Sequence, residues 1–338
     1  MKKYAVILLT LLIATAVVLS SCAPAAAPAE EAAPAEEEAM EEEAAPAEEE
    51  AMEEDDQIVV GFVSANFNDT GQVFIKDGAK AKAEELGVEF READAQEDVI
   101  KQQDLVQAFI TEKVDVLIVV PVSTDAMDPI IAAGADAGIP VVFVNRNPFG
   151  EDAPAEGTYY VGSEELVAGQ KQAEYLGELM DSGKVFILQG KLDNEAAIKR
   201  TEGFVTTVEA NFPDIEIVDT QVGNWQRDQG VSITENWLTA YGDEIDAIVA
   251  NNDEMALGAV EVLQGEGRDD VIVLGVDFTP DAKAAILEGK MVGSVKQDLA
   301  GQGAGGVQVA YDLLTGTVEE NPVWIPFVLI TAEDAADN

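Results

Sequence analysis

From Gln57 onward, short apolar runs alternate with amphipathic segments along the chain. Segments such as 74–87 and 97–113 repeat apolar residues at helical spacing and are predicted to be helices. Runs of Val and Ile separated by helices are typical of parallel strands covered on both faces. Each half of the chain has four or five such units, which predicts two α/β lobes, each a doubly wound parallel sheet. The predicted strands are 58–63, 88–93, 114–120 and 140–145 in the first half, and 184–189, 215–220, 245–250, 271–276 and 291–297 in the second.

Several predicted strands end abruptly on polar residues. The apolar run 248–250, for example, stops at Asn251, Asn252 and Asp253. In open parallel sheets, ligands bind beyond the carboxyl ends of the strands, so these residues predict a ligand site. For any single position a helix cap is the simpler alternative, with Asp253 or Thr279 as the capping residue. Five strand ends carry amides, carboxylates or an arginine, which suit a polyhydroxyl ligand; they are 68–70, 145–147, 251–253, 277 and 297–298.

Composition narrows the function further. The 338 residues include 66 acidic and 19 basic ones, so the chain would repel phosphate backbones and we expect no nucleic-acid partner. The sequence contains no histidine, the most common general base and metal ligand. Its single cysteine excludes an intramolecular disulfide and a cysteine-rich zinc site. These features favour a binding protein over an enzyme.

The first 22 residues have the layout of an export signal. Lys2 and Lys3 precede the apolar segment 4–19, which is too short to span a membrane comfortably. Residues 19–22 read LSSC, which resembles a bacterial lipobox and predicts that Cys22 is lipidated and becomes the first residue after cleavage. We therefore expect a lipid-anchored protein on the outer face of the cytoplasmic membrane or in the periplasm. The alternative is a plain secretory signal with a chance cysteine.

Residues 23–56 are rich in Ala, Pro and Glu, with 15 acidic residues and no basic one. Like charges at helical spacing and recurring prolines oppose a helix, and no apolar face is available for burial. The segment is therefore predicted to be a disordered acidic tether between the anchor and the folded part. An acidic tail that docks on a basic partner is the alternative.

Five segments carry a resemblance to a known family: FIKDGAKAKAEELG (74–87), IPVVFVNRNP (139–148), KRTEGF (199–204), IVANNDEMALGAVEVLQ (248–264) and LGVDFTPDA (274–282). With them, residues 57–338 resemble the periplasmic sugar-binding proteins of the ribose- and galactose-binding type, the receptors of ABC sugar importers. The resemblance implies the type I periplasmic binding protein fold, in which a three-strand hinge joins two lobes. It also implies a monomer that binds a monosaccharide and delivers it to the membrane subunits of an ABC transporter.

The resemblance also implies site residues. Asn145 and Arg146 match positions that bind sugar hydroxyls, and Arg200 matches an arginine that reaches the ligand from the second lobe. Trp225 matches an aromatic that stacks on one face of the sugar ring. For Arg200 and Trp225, a surface ion pair and a core aromatic are the respective alternatives. The remaining expected ligand-binding residues are Asp69, Asn252, Asp277 and Gln297.

The sequence departs from the family pattern in two places. The loop 67–74 lacks the aromatic that stacks on the other face of the sugar, since Gly71 or Gln72 falls near that position. The turn 180–184 has no spaced carboxylates where galactose-type members often carry a calcium loop, so we predict no metal. The segment GQGAGG (301–306) satisfies a dinucleotide fingerprint, but no acidic residue ends a second strand about 20 positions later. We predict no cofactor and interpret these glycines as a site of close helix packing.

The predicted hinge sets the predicted lobe boundaries. The chain is expected to cross between lobes near 161–163, 297–298 and 325–326. The first lobe is then 57–162 plus 298–325, and the second is 163–297 plus 326–338. A sugar-sensing receptor for chemotaxis or a sensor kinase is the main alternative function, and a glycoside-acting enzyme using Asp69 and Asp277 is a further one. A transcriptional repressor is excluded for two reasons: the chain has no helix-turn-helix headpiece, and it carries an export signal.

Overall fold

A computed structural model describes residues 57–316 and 318–337 of the protein. In this part of the chain, twelve strands alternate with ten α-helices. The strands are β1 (Val59–Ser64), β2 (Glu89–Asp94), β3 (Val116–Val119), β4 (Val141–Val144), β5 (Thr158–Gly162), β6 (Gly183–Gln189), β7 (Ile215–Val222), β8 (Ala247–Ala250), β9 (Ile272–Asp277), β10 (Gly293–Lys296), β11 (Val323–Trp324) and β12 (Val328–Thr331). The helices are α1 (Thr70–Leu86), α2 (Val99–Thr111), α3 (Asp128–Ala137), α4 (Glu165–Leu179), α5 (Glu195–Asn211), α6 (Arg227–Tyr241), α7 (Asp253–Gly265), α8 (Pro280–Leu287), α9 (Leu299–Thr315) and α10 (Ala332–Ala335).

The strands form two six-stranded sheets with the same order of strands. The first sheet runs β2-β1-β3-β4-β5-β11, and all of its neighbouring strands are parallel. The second runs β7-β6-β8-β9-β10-β12, with β12 antiparallel to β10 at its edge. The predicted fold class, two parallel-sheet α/β lobes, is confirmed. The sequence prediction omitted β5, β11 and β12: β5 contains Thr and two Tyr instead of a Val/Ile run, β11 has only two residues, and β12 is only partly buried.

Burial on both faces explains the apolar runs that predicted the strands. Every residue of β3, β4 and β8 is buried, since helices cover each sheet on both sides. In the first lobe (the first sheet with α1–α3 and α9), apolar side chains form a cluster on each face of the sheet. The second lobe (the second sheet with α4–α8 and α10) has two corresponding clusters. Each lobe therefore has its own hydrophobic core.

The chain passes between the two sheets at three places: between β5 and α4, between β10 and α9, and between β11 and β12. Two of these crossings are hydrogen-bonded side by side. The Ile325 amide donates to the Gly162 carbonyl at 2.7 Å, and the Ser163 hydroxyl donates to the Ile325 carbonyl at 2.7 Å. The carboxyl ends of both sheets consequently face one another across a shared cleft.

Candidate functional site

A cavity of about 50 Å³ lies in this cleft, between the two lobes. Residues from both lobes line it. The eight side chains predicted to bind ligand are all among them, although the sequence placed them on segments far apart. The lining residues are Asp69, Gly71, Gln72, Asn145, Arg146, Ala196, Arg200, Trp225, Asn252, Asp277, Gln297 and Leu299.

The first lobe contributes Asp69, Asn145 and Arg146. Asp69 is the N-cap of α1, and one of its carboxylate oxygens accepts a hydrogen bond from the backbone N–H of Gln72 at 3.1 Å. The other oxygen lies 3.9 Å from the guanidinium of Arg146. Arg146 is also fixed by a 2.8 Å bond to the Pro121 carbonyl, so its position does not depend on ligand. Burial raises the pKa of Asp69, and the charge of Arg146 opposes that rise.

Arg200 organises the second-lobe side of the cavity. Its Nε donates to Glu165 at 2.6 Å, one Nη donates to the Asn251 carbonyl at 2.7 Å, and the other donates to Gln297 at 3.3 Å. The side chain is only 4% exposed, so the alternative of a surface ion pair is wrong. Arg200 forms a buried ion pair with Glu165, a residue that the sequence gave no reason to select.

Asp277 lies 3.9 Å from Arg200 and retains acceptor capacity toward the cavity. Burial raises its pKa well above the usual range, while Arg200 opposes the rise. Such a carboxyl accepts hydrogen bonds from hydroxyl groups when ionised and can donate one when protonated.

Trp225 forms an apolar wall of the cavity. Its indole Nε1 donates to Asn194 at 2.9 Å, and the Arg200 guanidinium lies 5.7 Å from the ring centre. A Cβ on Gly190, directly after β6, would lie 2.2 Å from the indole carbons, so only glycine leaves room for the ring there. Trp225 also packs against the second-lobe core, so the alternative of a core aromatic describes part of its surroundings.

Three lining residues have left-handed backbones. The φ angle is 68° at Asn145, 68° at Trp225 and 115° at Asp277. Asparagine tolerates this region, but for a bulky residue such as Trp225 it is an energetically unfavourable conformation. Conformations of this kind cluster at functional sites, where the surrounding structure fixes them.

The helix-cap alternative for the strand ends is partly correct. Asn252 is the N-cap of α7 and accepts from the Met255 amide at 3.1 Å, while its amide nitrogen donates to the Trp225 carbonyl. Thr279 caps α8. Asp253 is not a cap: it is fully buried and accepts from the Thr279 amide and the Ser294 hydroxyl, each at 2.7 Å. It stabilises the second sheet and does not line the cavity.

The loop 67–74, in which the sequence lacks the expected aromatic, contributes to the first-lobe side of the cavity. Gly71 and Gln72 line the cavity where an aromatic was absent, and Phe67 packs against the first-lobe core. The sequence did not predict Leu299 and Ala196, which add apolar surface from α9 and α5. Sequence reasoning could not identify them as lining residues, because apolar residues at helix starts usually belong to the core.

A larger cavity, about 510 Å³, lies beside the crossing strands, and both α5 and the segment 145–147 contribute residues to the two cavities. Its wall includes Glu151, Glu195, Lys199 and Trp324. The smaller cavity is the better candidate for the ligand site, because it lies at the carboxyl ends of both sheets and gathers paired donors and acceptors.

Among residues 57–316 and 318–337, no group of three or more acidic, cysteine or histidine side chains is arranged to hold a metal ion. The glycines of 301–306 lie within α9, which follows β10. A Cβ on Gly303 would lie 1.9 Å from the Ile75 carbonyl, so this glycine permits close packing of α9 on α1. The close-packing interpretation of the motif is confirmed for Gly303.

The predicted signal peptide, Cys22 and the acidic tether lie outside the described residues. None of the helices in the described part has both the length and the apolar character needed to cross a bilayer.

Comparisons with known proteins agree with this architecture. Residues 60–317 match the family model of the periplasmic binding protein domain. A putative rhizopine-binding protein of Rhizobium meliloti is 41% identical over 283 residues, covering 82% of this chain and 91% of the relative. The ribose import binding protein of Salmonella typhimurium is 32% identical over 258 residues, covering 76% and 85%.

A solved structure shows the same similarity. An ABC transporter solute binding protein from Bacillus halodurans with bound myo-inositol has a TM-score of 0.78 and 38% identity, covering 83% of this chain and 96% of that one. The resemblance stated from the sequence is confirmed. These relatives are binding proteins of transporters, which agrees with the prediction of a protein that is not an enzyme.

Proposed function

Because the chain belongs to the family of periplasmic binding proteins, we propose that it captures a small polyhydroxyl ligand for an ABC importer. The ligand class is a monosaccharide or a cyclic polyol of similar size. The relatives support this class, since one is named for ribose and a similar solved structure holds myo-inositol. Membership of the family also implies a location outside the cytoplasm.

The observation that carries the proposal is the composition of the cavity. It combines one aromatic wall, Trp225, with two arginines and two carboxyls that keep unused hydrogen-bonding capacity. A sugar or cyclitol ring has apolar C–H faces and a rim of hydroxyls that both donate and accept. Arg146 and Arg200 supply donors only, while Asp69 and Asp277 supply acceptors, so a neutral polyol can satisfy both kinds at once.

Titration calorimetry with myo-inositol, ribose, allose and galactose tests the ligand class directly. We expect saturable binding of at least one of them, with favourable enthalpy from the charge-assisted hydrogen bonds. Xylitol, an acyclic polyol, is the control that tests whether binding requires a ring. Absence of binding by all of them at millimolar concentration would contradict the proposal.

We further propose that ligand is enclosed by closure of the two lobes about the three crossings. In this proposal the first lobe comprises 57–162 plus 298–325, and the second comprises 163–297 plus 326–338. Support comes from the contacts across the cleft: Lys191 pairs with Glu97, and Lys199 pairs with Glu151 at 3.2 Å. A ligand that contacts both lobes shifts the population toward the closed form, which the importer would recognise.

Small-angle scattering checks the closure. The radius of gyration should decrease when a ligand identified by calorimetry is added, and intrinsic fluorescence should change in the same titration. The fluorescence change should be lost in Trp225→Phe, while Trp324→Phe serves as a control because Trp324 does not line the cavity. An unchanged radius with a tightly bound ligand would contradict the clamp and leave the binding assignment intact.

The anchor is a separate part of the proposal. Support comes from the sequence of residues 1–22, in which small residues precede Cys22. Lipidation at Cys22 would keep the protein at the membrane surface through several acyl chains. Replacing Cys22 with Ser should release the protein into the soluble fraction. Wild-type protein that is already freely soluble when exported by its own signal would contradict lipidation.

A further inference from the structure

Asn194 lies just before α5 and is fully buried where the two lobes meet. Its Nδ2 donates to the Val122 carbonyl of the first lobe at 3.1 Å. Its Oδ1 accepts from the indole of Trp225 in the second lobe at 2.9 Å. One amide therefore contacts both the opposite lobe and the aromatic wall of the proposed ligand site.

The two bonds fix the orientation of this amide. An indole N–H only donates, so it requires the oxygen of Asn194, whereas a carbonyl only accepts, so Val122 requires the nitrogen. With Oδ1 directed at Trp225, Nδ2 is directed at Val122 as well. Displacement of the indole leaves the amide without the partner that orients it toward the first lobe.

Asn194 belongs to the segment 193–195, which forms the main hydrogen-bonded contact across the cleft in the described residues. The Thr124 amide donates to the Asp193 carbonyl at 3.0 Å, and the Thr124 hydroxyl contacts the same carbonyl at 3.2 Å. The Glu195 amide donates to the Thr124 hydroxyl at 3.3 Å. Separation of the lobes breaks all of these bonds and the Asn194–Val122 bond, but leaves the Asn194–Trp225 bond within the second lobe.

We propose that Asn194 is a positioning residue that couples the location of the Trp225 ring to the closure of the lobes. Asn194 does not line the cavity, so it acts through Trp225 and not on the ligand. A ligand stacked on Trp225 keeps the indole in place and thereby keeps Nδ2 ready for Val122. The coupling rests on the proposed function, because it gives Trp225 a ligand to contact.

Replacing Asn194 with Asp separates the two bonds. The carboxylate still accepts from the Trp225 indole, but a second acceptor then faces the Val122 carbonyl and the closed form is disfavoured. With the tightest of the polyols used above, stopped-flow fluorescence should show a dissociation rate raised about tenfold or more, with less than a threefold change in association. A dissociation rate equal to wild type in Asn194→Asp would overturn the proposal.

A double-mutant cycle excludes a merely structural role. Calorimetry on Asn194→Ala, Trp225→Phe and the double variant should show that the double variant binds no more than about threefold more weakly than the worse single variant. Thr124→Val, which removes a cross-lobe contact without touching Trp225, is the comparison and should combine multiplicatively with Trp225→Phe. Multiplicative effects in the Asn194 cycle would overturn the coupling.

A ligand-free measurement keeps this test apart from the ligand assignment. In a Trp324→Phe background, Trp237 is buried, so acrylamide quenching reports mainly on Trp225. Quenching should increase in Asn194→Ala and stay near wild type in Asn194→Asp. If the wild type binds none of the polyols, the proposed function fails, and unchanged quenching in Asn194→Ala would overturn the coupling on its own.

Discussion

Arg200 and Asp277 face the same cavity, yet the fold depends on them to different degrees. Asp277 has only a 3.9 Å approach to Arg200, whereas Arg200 supplies the hydrogen bond of the buried Glu165. Alanine at Asp277 should therefore leave folding almost unaffected, whereas alanine at the buried Arg200 should not.

Asp277→Ala should reduce the free energy of ligand binding by roughly 2–4 kcal/mol, because hydroxyl groups and Arg200 lose their acceptor. Its unfolding midpoint should stay near wild type. Calorimetry and urea unfolding check both statements. Wild-type affinity would remove Asp277 from the site.

Arg200→Ala should also lower the free energy of unfolding, by about 3–5 kcal/mol, because it leaves the Glu165 carboxylate buried and unpaired. The double variant Arg200→Ala, Glu165→Gln is the matched control and should recover part of that loss. Urea unfolding of both variants provides the comparison. A single variant as stable as wild type would contradict the burial argument.

Gly190→Ala should weaken ligand binding by about tenfold without unfolding the protein. The added methyl would overlap the Trp225 ring, which must move into the cavity or away from Asn194. Binding should be compared with Gly265→Ala, since a Cβ at Gly265 meets no atom within 4 Å. Equal affinities of the two variants would show that the ring position is not critical.

The site was predictable where a functional residue directly follows an apolar strand. Asp277 and Gln297 stand at such ends, so the carboxyl-edge rule applied to them. Glu165 gave no signal, because an acidic residue at a helix N-terminus is ordinarily solvated. Asn194 resembles an N-cap in the sequence, but its side chain makes no capping bond. Both act through partners distant in sequence, which periodicity along the chain does not reveal.

At the scale of elements, α9 connects the lobes by following β10 of the second sheet and packing on the first. Its glycines allow the backbone of α1 to approach closely, as at Gly303. Continuous apolar runs predicted strands such as β8, whereas β5, β11 and β12 lack a long Val/Ile run and were missed.

Gly303→Ala should reduce the free energy of unfolding by about 1–3 kcal/mol, because the new methyl meets the rigid Ile75 backbone. Gly305→Ala meets mainly a Val161 methyl at 2.8 Å, a side-chain contact that can adjust. It is therefore the matched control and should cost less. Chemical unfolding of the two variants shows whether the loss of stability comes from contact with the α1 backbone or from replacing any glycine of α9.

At the scale of the whole molecule, buried carboxyls make stability depend on pH. Glu195 lies where the lobes meet, and its Oε2 is buried without a hydrogen-bond partner. Burial raises the pKa of Glu195 to about 8, with Glu165 adding to the rise and Arg200 and Lys199 opposing it. Asp253 is also affected, since burial raises its pKa to about 7.

A carboxyl with a raised folded-state pKa binds more protons in the folded than in the unfolded protein. Stability should therefore decrease as pH rises from about 4.5 to about 8, the two pKa values of Glu195. Glu195→Gln removes the contribution of Glu195 to this dependence and should raise the thermal midpoint more at pH 8 than at pH 5. Glu209→Gln, at an exposed position of α5, is the control. Equal shifts at both pH values would contradict the assignment to Glu195.

The late return of the chain to both sheets has a consequence for synthesis and export. The first sheet is completed by β11, about 160 residues after β5, and the second by β12. The first lobe lacks its last strand until residue 324 has left the ribosome, and the second lobe lacks its last strand until residue 331 has. A nascent chain would thus remain unfinished during most of its translation, a state suited to passage through a secretion channel as an extended polypeptide.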